Sequence, residues 1–124
     1  GHEVTTVVLW AEQLEVSADF YAALLSAEKS DQSADFVRIS SEANHILLHA
    51  VPAEYREGVS VPPAIREEAV MKPVYQVTSI AAAREAVQGL AGQVFATDRE
   101  QSYGSTKYCD GFDPEGNVFQ LAEG

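Results

Sequence analysis

Few side chains in this chain are placed to do chemistry, and His45 and His49 are the first pair to weigh. Gly1-His2 resembles the scar of an expression tag, so His2 drops out of any ligand count. Two histidines four apart meet on one face of a helix. On a strand they share a face but lie about 13 Å apart, at roughly 3.3 Å per residue. Each imidazole must come to about 2.1 Å from a shared ion, so a strand would strain both rotamers. Even on a helix, Glu42 or Glu54 would have to supply another donor. The segment reads as a strand, with His45 partly exposed at a turn and His49 facing a cavity.

Cys109 is the single cysteine, which rules out an internal disulfide and fits a reducing cytoplasm. No histidine stands near it in sequence to activate it, so it is expected to be a small buried strand residue. A Lys72 Schiff base would need burial to lower the amine pKa, and near a strand start the side chain can reach solvent instead. Asp98-Arg99-Glu100 and Arg66-Glu67-Glu68 read as solvated charge runs. No Ser-His-Asp set, phosphate-cradling glycine loop or CxxC pair is present. The net charge of −11 argues against a nucleic-acid partner and suits a cationic small ligand. No apolar run approaches the roughly 20 residues that cross a bilayer.

The elements that must position these residues follow from pattern. Residues 4–11 alternate, with Val4, Thr6, Val8 and Trp10 on one face and Thr5, Val7, Leu9 and Ala11 on the other. Both faces are largely apolar, as for a strand with a helix on one side and a cavity on the other. Residues 16–27 carry the helical stripe Val16, Phe20, Leu24 with Leu25, and Ser17 is the expected cap. Residues 35–39 and 45–51 read as strands around a turn at 40–44. A helix from Ser41 is the rival reading, and Pro52 ends either one. Residues 53–70, with prolines and many charges, are the linker candidate. Residues 71–77 are the next strand. Ser79 caps a second helix along Ile80, Ala83, Val87 and Leu90, and Gly92 stops it. Residues 93–97 and 103–110 precede a last hairpin turned by Asp113-Pro114-Glu115-Gly116-Asn117.

That final phrase, running from Tyr108 to Leu121, resembles the signature of the glyoxalase/bleomycin-resistance/dioxygenase (vicinal oxygen chelate) superfamily. Ser17-Ala18-Asp19-Phe20-Tyr21-Ala22-Ala23-Leu24-Leu25 is similar to the family's first helix. The resemblance covers nearly the whole chain. It implies an α+β fold, a single domain of two βαβββ modules (about 3–52 and 71–124) pairing into a curved half-barrel sheet around a cavity. It also implies a homodimer.

Metal-dependent members of the superfamily hold a divalent ion with one side chain from the first and one from the last strand of each module. Matched through the two phrases, those positions carry Thr6, Leu47 (with Leu48 beside it), Lys72 and Gln120. Such a set lacks the imidazole, carboxylate or thiolate donors that zinc, nickel, manganese or iron require. The expectation is therefore a cofactor-free, metal-free small-molecule binder, similar to the bleomycin-resistance branch, taking a cationic or aromatic ligand in the cytoplasm. The alternative is a metal-dependent lyase, isomerase or dioxygenase with atypical ligands. Strand alternation and the implied geometry place Val8, Trp10, Leu47, His49, Val74, Gln76, Tyr108 and Gln120 in the pocket, with Thr6 and Lys72. Trp10 is either a core residue or a stacking wall.

Overall fold

The computed structural model describes residues 5–52, 65 and 70–124, so the proposed linker at 53–70 lies outside the described residues except for Ile65 and Val70. The first half runs β1 (Thr6–Ala11), α1 (Leu14–Leu25), β2 (Glu28–Ser30), β3 (Phe36–Ser40) and β4 (His45–Ala50). The second half runs β5 (Val74–Val77), α2 (Ile80–Ala86), β6 (Gln93–Val94), a 3-10 turn at Thr97–Arg99, β7 (Gln101–Tyr103), β8 (Thr106–Phe112) and β9 (Val118–Glu123). The two halves have the same plan. In each, the first strand lies parallel to the last, β1 to β4 and β5 to β9, while the strands between are antiparallel. A parallel pair needs a long crossover, and α1 or α2 supplies it.

The result is an α+β fold with two mixed sheets that do not close on each other. One has the order β1-β4-β3-β2 and the other β5-β9-β8-β6, with β7 on β8. The register repeats too: Val8 faces Leu47 across the first parallel pair, and Val74 faces Gln120 across the second. Residues 41–44 form the turn between β3 and β4, so the rival helix from Ser41 is absent.

One face of each sheet is covered and the other is open. Along β1 the residues alternate between exposed Thr6, Val8 and Trp10 and more enclosed Val7, Leu9 and Ala11. The core lies on the helix side, where Phe20, Tyr21, Ile39, Ile46, Leu48, Ile80, Phe119 and Leu121 are fully buried. Each such side chain contributes roughly 1.5–3 kcal/mol by leaving water. Aromatic rings carry the core across the two halves: Tyr21 of α1 meets Tyr75 of β5 edge-on at 5.8 Å and Phe119 of β9 at 6.4 Å.

Several boundaries differ from those the sequence suggests. α1 begins at Leu14, ahead of Ser17, because the cap comes from elsewhere. Ser17 is buried inside the helix, with its N–H bonded to Gln13 O. β2 has no apolar residue at all, since all three of its positions are exposed, and so carried no hydrophobic signal. Gly92 does not end α2, which stops at Ala86. Its missing Cβ lets the Phe20 ring and the Phe112 carbonyl close in. Ser79 does cap α2, its Oγ accepting from Ala82 N at 3.0 Å.

Candidate functional site

Among the described residues, three sets of polar contacts join the two halves. Asn44, in the β3–β4 turn, behaves like a short strand beside β5. Its Nδ2 donates to Gln76 O at 2.8 Å and its Oδ1 accepts from Gln76 N at 3.1 Å. Glu115, in the β8–β9 turn, accepts from Glu12 N at 2.8 Å and Gln13 N at 3.2 Å. This puts a carboxylate at the start of α1, where the helix dipole favours negative charge. It is the cap that Ser17 was expected to provide.

The third contact is buried. Tyr21 Oη donates to Asp113 Oδ2 at 2.6 Å. Asp113 also accepts from Glu115 N, Asn117 N and Asn117 Nδ2, at 2.9, 2.9 and 3.0 Å. These bonds hold the turn, and Gly116 takes the positive φ of 84° that it requires. Burial pushes the Asp113 carboxyl above its usual range, although the four donors pull it back. Desolvation likewise raises both the Tyr21 and Tyr75 phenols, so they stay protonated at neutral pH. The Tyr21 hydroxyl and Asp113 lie close enough to Tyr75 to act on its ionisation, but neither meets its Oη with the geometry of a hydrogen bond.

Between β1 and β5, each the edge strand of its sheet, opens a cleft of about 820 Å³. Thr6, Val8, His45, Lys72, Val74 and Gln76 line its walls, and Tyr21, Tyr75 and Asn117 also border it. Val8 and Val74 are about half exposed, at 51% and 48%. Thr6, Val8, Lys72, Val74 and Gln76 are thus brought together. Lys72, Tyr108 and Gln120 meet at a second, smaller pocket.

Trp10, Leu47 and His49 line neither cavity. Trp10 is 55% exposed on the open face of the first sheet, so core packing does not account for it. It stacks on His49 with ring centroids 4.8 Å apart, and Phe36 meets the same imidazole edge-on at 5.1 Å. The two histidines therefore exchange the places expected of them: His45 borders the cleft and His49 belongs to a surface aromatic cluster. Alternation put both on one face, but only the packing of the halves decides which end of β4 lies near β5.

No protein-family model matches this sequence, and no curated protein matches it either. Solved structures do match. A glyoxalase/bleomycin resistance protein from Albidiferax ferrireducens superposes with a TM-score of 0.68 at 17% identity, covering 96% of each chain. A hypothetical protein from S. aureus gives 0.67 at 18% identity, over 97% of this chain and 92% of that one. The fosfomycin resistance protein FosX from Mesorhizobium loti gives 0.65 at 9% identity, over 97% and 90%. The fold is that of the glyoxalase/bleomycin-resistance proteins. At these identities the likeness is one of backbone.

The four positions that the resemblance implies for metal ligands carry Thr6, Leu47, Lys72 and Gln120, a set without the imidazole, carboxylate or thiolate donors that suit a divalent transition ion. Val8 pairs with Leu47 and Val74 with Gln120, with Thr6 and Lys72 two residues earlier in the two halves. Lys72 Nζ donates to Asp110 Oδ2 at 2.8 Å, which occupies that carboxylate with an ammonium. His45 is engaged on both nitrogens. Arg38 Nη1, which can only donate, lies 2.9 Å from Nε2, so Nδ1 carries the proton and donates to Thr6 Oγ1 at 2.9 Å. Among the described residues no three His, Cys, Asp or Glu side chains converge as a metal site. No described helix is long and apolar enough to cross a membrane.

Cys109 is buried at the back of β8, as its strand pattern suggested. Desolvation pushes its thiol up, against the pull of Arg84. The residues that sequence reasoning passed over are Asn44, Arg99, Asp110 and the capping role of Glu115. Only Glu115 had a local signal, as an acid within a recognisable turn.

Proposed function

We propose that this protein binds a small molecule in the cleft between its two halves and does so without a metal ion. The observation that carries this reading is the cleft itself. Its volume falls within the roughly 300–1,000 Å³ usual for ligand pockets, and it pairs apolar walls, Val8 and Val74, with the polar Thr6, His45, Lys72 and Gln76. The donor set supports the metal-free part: a threonine, a leucine, a salt-bridged lysine and a glutamine offer nothing that activates an oxygen-chelating substrate by Lewis-acid polarisation. On this reading the protein binds, and a lyase, isomerase or dioxygenase activity is not expected.

Elemental analysis of tag-free protein, with a thermal-shift series in Ni, Zn, Mn, Co and Fe(II), tests the reading. It predicts sub-stoichiometric metal and no melting shift with any of the five. Near-stoichiometric metal, lost on substituting His45 or His49, would overturn it.

A further inference from the structure

Lys72 belongs to the walls of two cavities, the cleft and a smaller pocket of about 200 Å³ on the open face of the second sheet. Lys72, Arg99, Gln101, Tyr108, Asp110 and Gln120 line the smaller one. Two cations and one carboxylate are among its lining residues. Asp110 is already satisfied, with Lys72 Nζ at 2.8 Å on Oδ2 and Gln120 Nε2 at 3.2 Å on Oδ1. An ammonium has three donors, and among the described residues Lys72 uses one of them.

Arg99 is the second cation. Every other described lysine or arginine lies within ion-pair distance of a carboxylate: Lys29 with Asp19, Arg38 with Asp31, Lys72 with Asp110, and both Arg84 and Lys107 with Glu100. Arg99 has no such partner among the described residues, and its guanidinium instead covers the Phe95 ring at 4.5 Å. Acidic residues outnumber basic ones 19 to 8 in this chain. Among the described residues, two cations against one carboxylate make this pocket locally positive inside a strongly negative protein.

We infer that the ligand is an amphiphilic oxyanion: an apolar body in the cleft against Val8 and Val74, and a carboxylate or phosphonate head held by Lys72 and Arg99. This rests on the cleft being the binding site. It reverses the expectation of a cationic ligand drawn from net charge. The overall field is screened beyond about 8 Å at physiological salt, whereas a bound head group meets these two cations directly.

Isothermal titration of four probes tests the inference: phenylacetate and benzylphosphonate, with benzyl alcohol and phenethylamine as neutral and cationic counterparts. The proteins are wild type, Lys72→Gln and Arg99→Gln, whose side chains are exposed enough that folding is unaffected, as melting curves would verify. At least one acid should bind wild type about tenfold more tightly than the alcohol, as a charge-assisted contact provides. Each substitution should remove that preference by weakening the acids far more than the alcohol. The stronger of the two acids identifies the head group. Acids binding no better than the alcohol, the amine binding best, or a preference surviving both substitutions would overturn the inference. Alcohol or amine binding in that case keeps the cleft reading, and heatless titrations with all four probes remove both.

Discussion

Tyr21→Phe deletes one oxygen atom and tests how the two halves are joined. The lost bond is a buried O–H donor to an ionised carboxylate at 2.6 Å. Bonds to charged groups contribute about 1.5–3 kcal/mol. Asp113 keeps its three other donors, so the carboxylate is weakened without being orphaned and a cost of about 2 kcal/mol is expected. For a chain of this size that lowers the melting temperature by about 8 °C. Tyr75→Phe is the internal control. Its ring is as deeply buried, but its hydroxyl has no partner. Removing it should change stability by less than about 0.5 kcal/mol, with stabilisation as the favoured sign.

The pH dependence follows from Asp113. Burial raises its pKa in the folded protein, so its ionisation costs stability, a cost absent at low pH and felt as pH rises through the raised pKa. Tyr21 offsets that cost by donating to the charged form. Without Tyr21 the pKa rises further, and the deficit is full at neutral pH. It narrows on acidification, beginning above the usual carboxylate range. Urea melts of both variants at several pH values measure this. Equal costs for the two tyrosines, or a Tyr21→Phe deficit that grows as pH falls, would refute the reasoning.

Three further outcomes follow from the packing. Glu115→Ala should cost about 1–2 kcal/mol by uncapping α1, and Glu115→Gln less because one acceptor oxygen remains; chemical denaturation measures both. Gly111→Ala should cost about 1–3 kcal/mol, because a Cβ there would overlap Gln93 O and the Phe119 ring; hydrogen exchange should show β6 released from β8. Cys109, buried and with its thiol pKa raised, should react with iodoacetamide far more slowly in the native protein at pH 7.5 than in denaturant.

What could be read from the sequence was local. The Asp113-to-Asn117 turn, the Ser79 cap and the alternation of β1 all depend on residues within a few positions of one another. They placed β1, β3, β4, β5, β8 and β9 to within a few residues, the buried Cys109 and the open-face residues Thr6, Val8, Val74 and Gln76, while the pairing of two modules came from the family resemblance. The joints between the halves were invisible because their partners are far apart: Tyr21 and Asp113 are separated by 92 positions, Glu12 and Glu115 by 103. The division of the expected pocket had the same origin. Strand parity set the face of Trp10 and His49, but the meeting of β1 with β5 decided that the cleft forms at Thr6 and Val8 instead. Arg99 read as part of a solvated charge run, since its lack of an acidic partner among the described residues is evident only in three dimensions.

The most direct test of the central claim is a nuclear magnetic resonance titration of isotope-labelled protein with the fragments above, followed through backbone amide shifts. Binding between the halves predicts perturbations concentrated on Thr6, Val8, Val74 and Gln76, the residues that line both sides of the cleft. Shifts gathered instead on Trp10, Phe36 and His49, with the cleft amides unmoved, would contradict it.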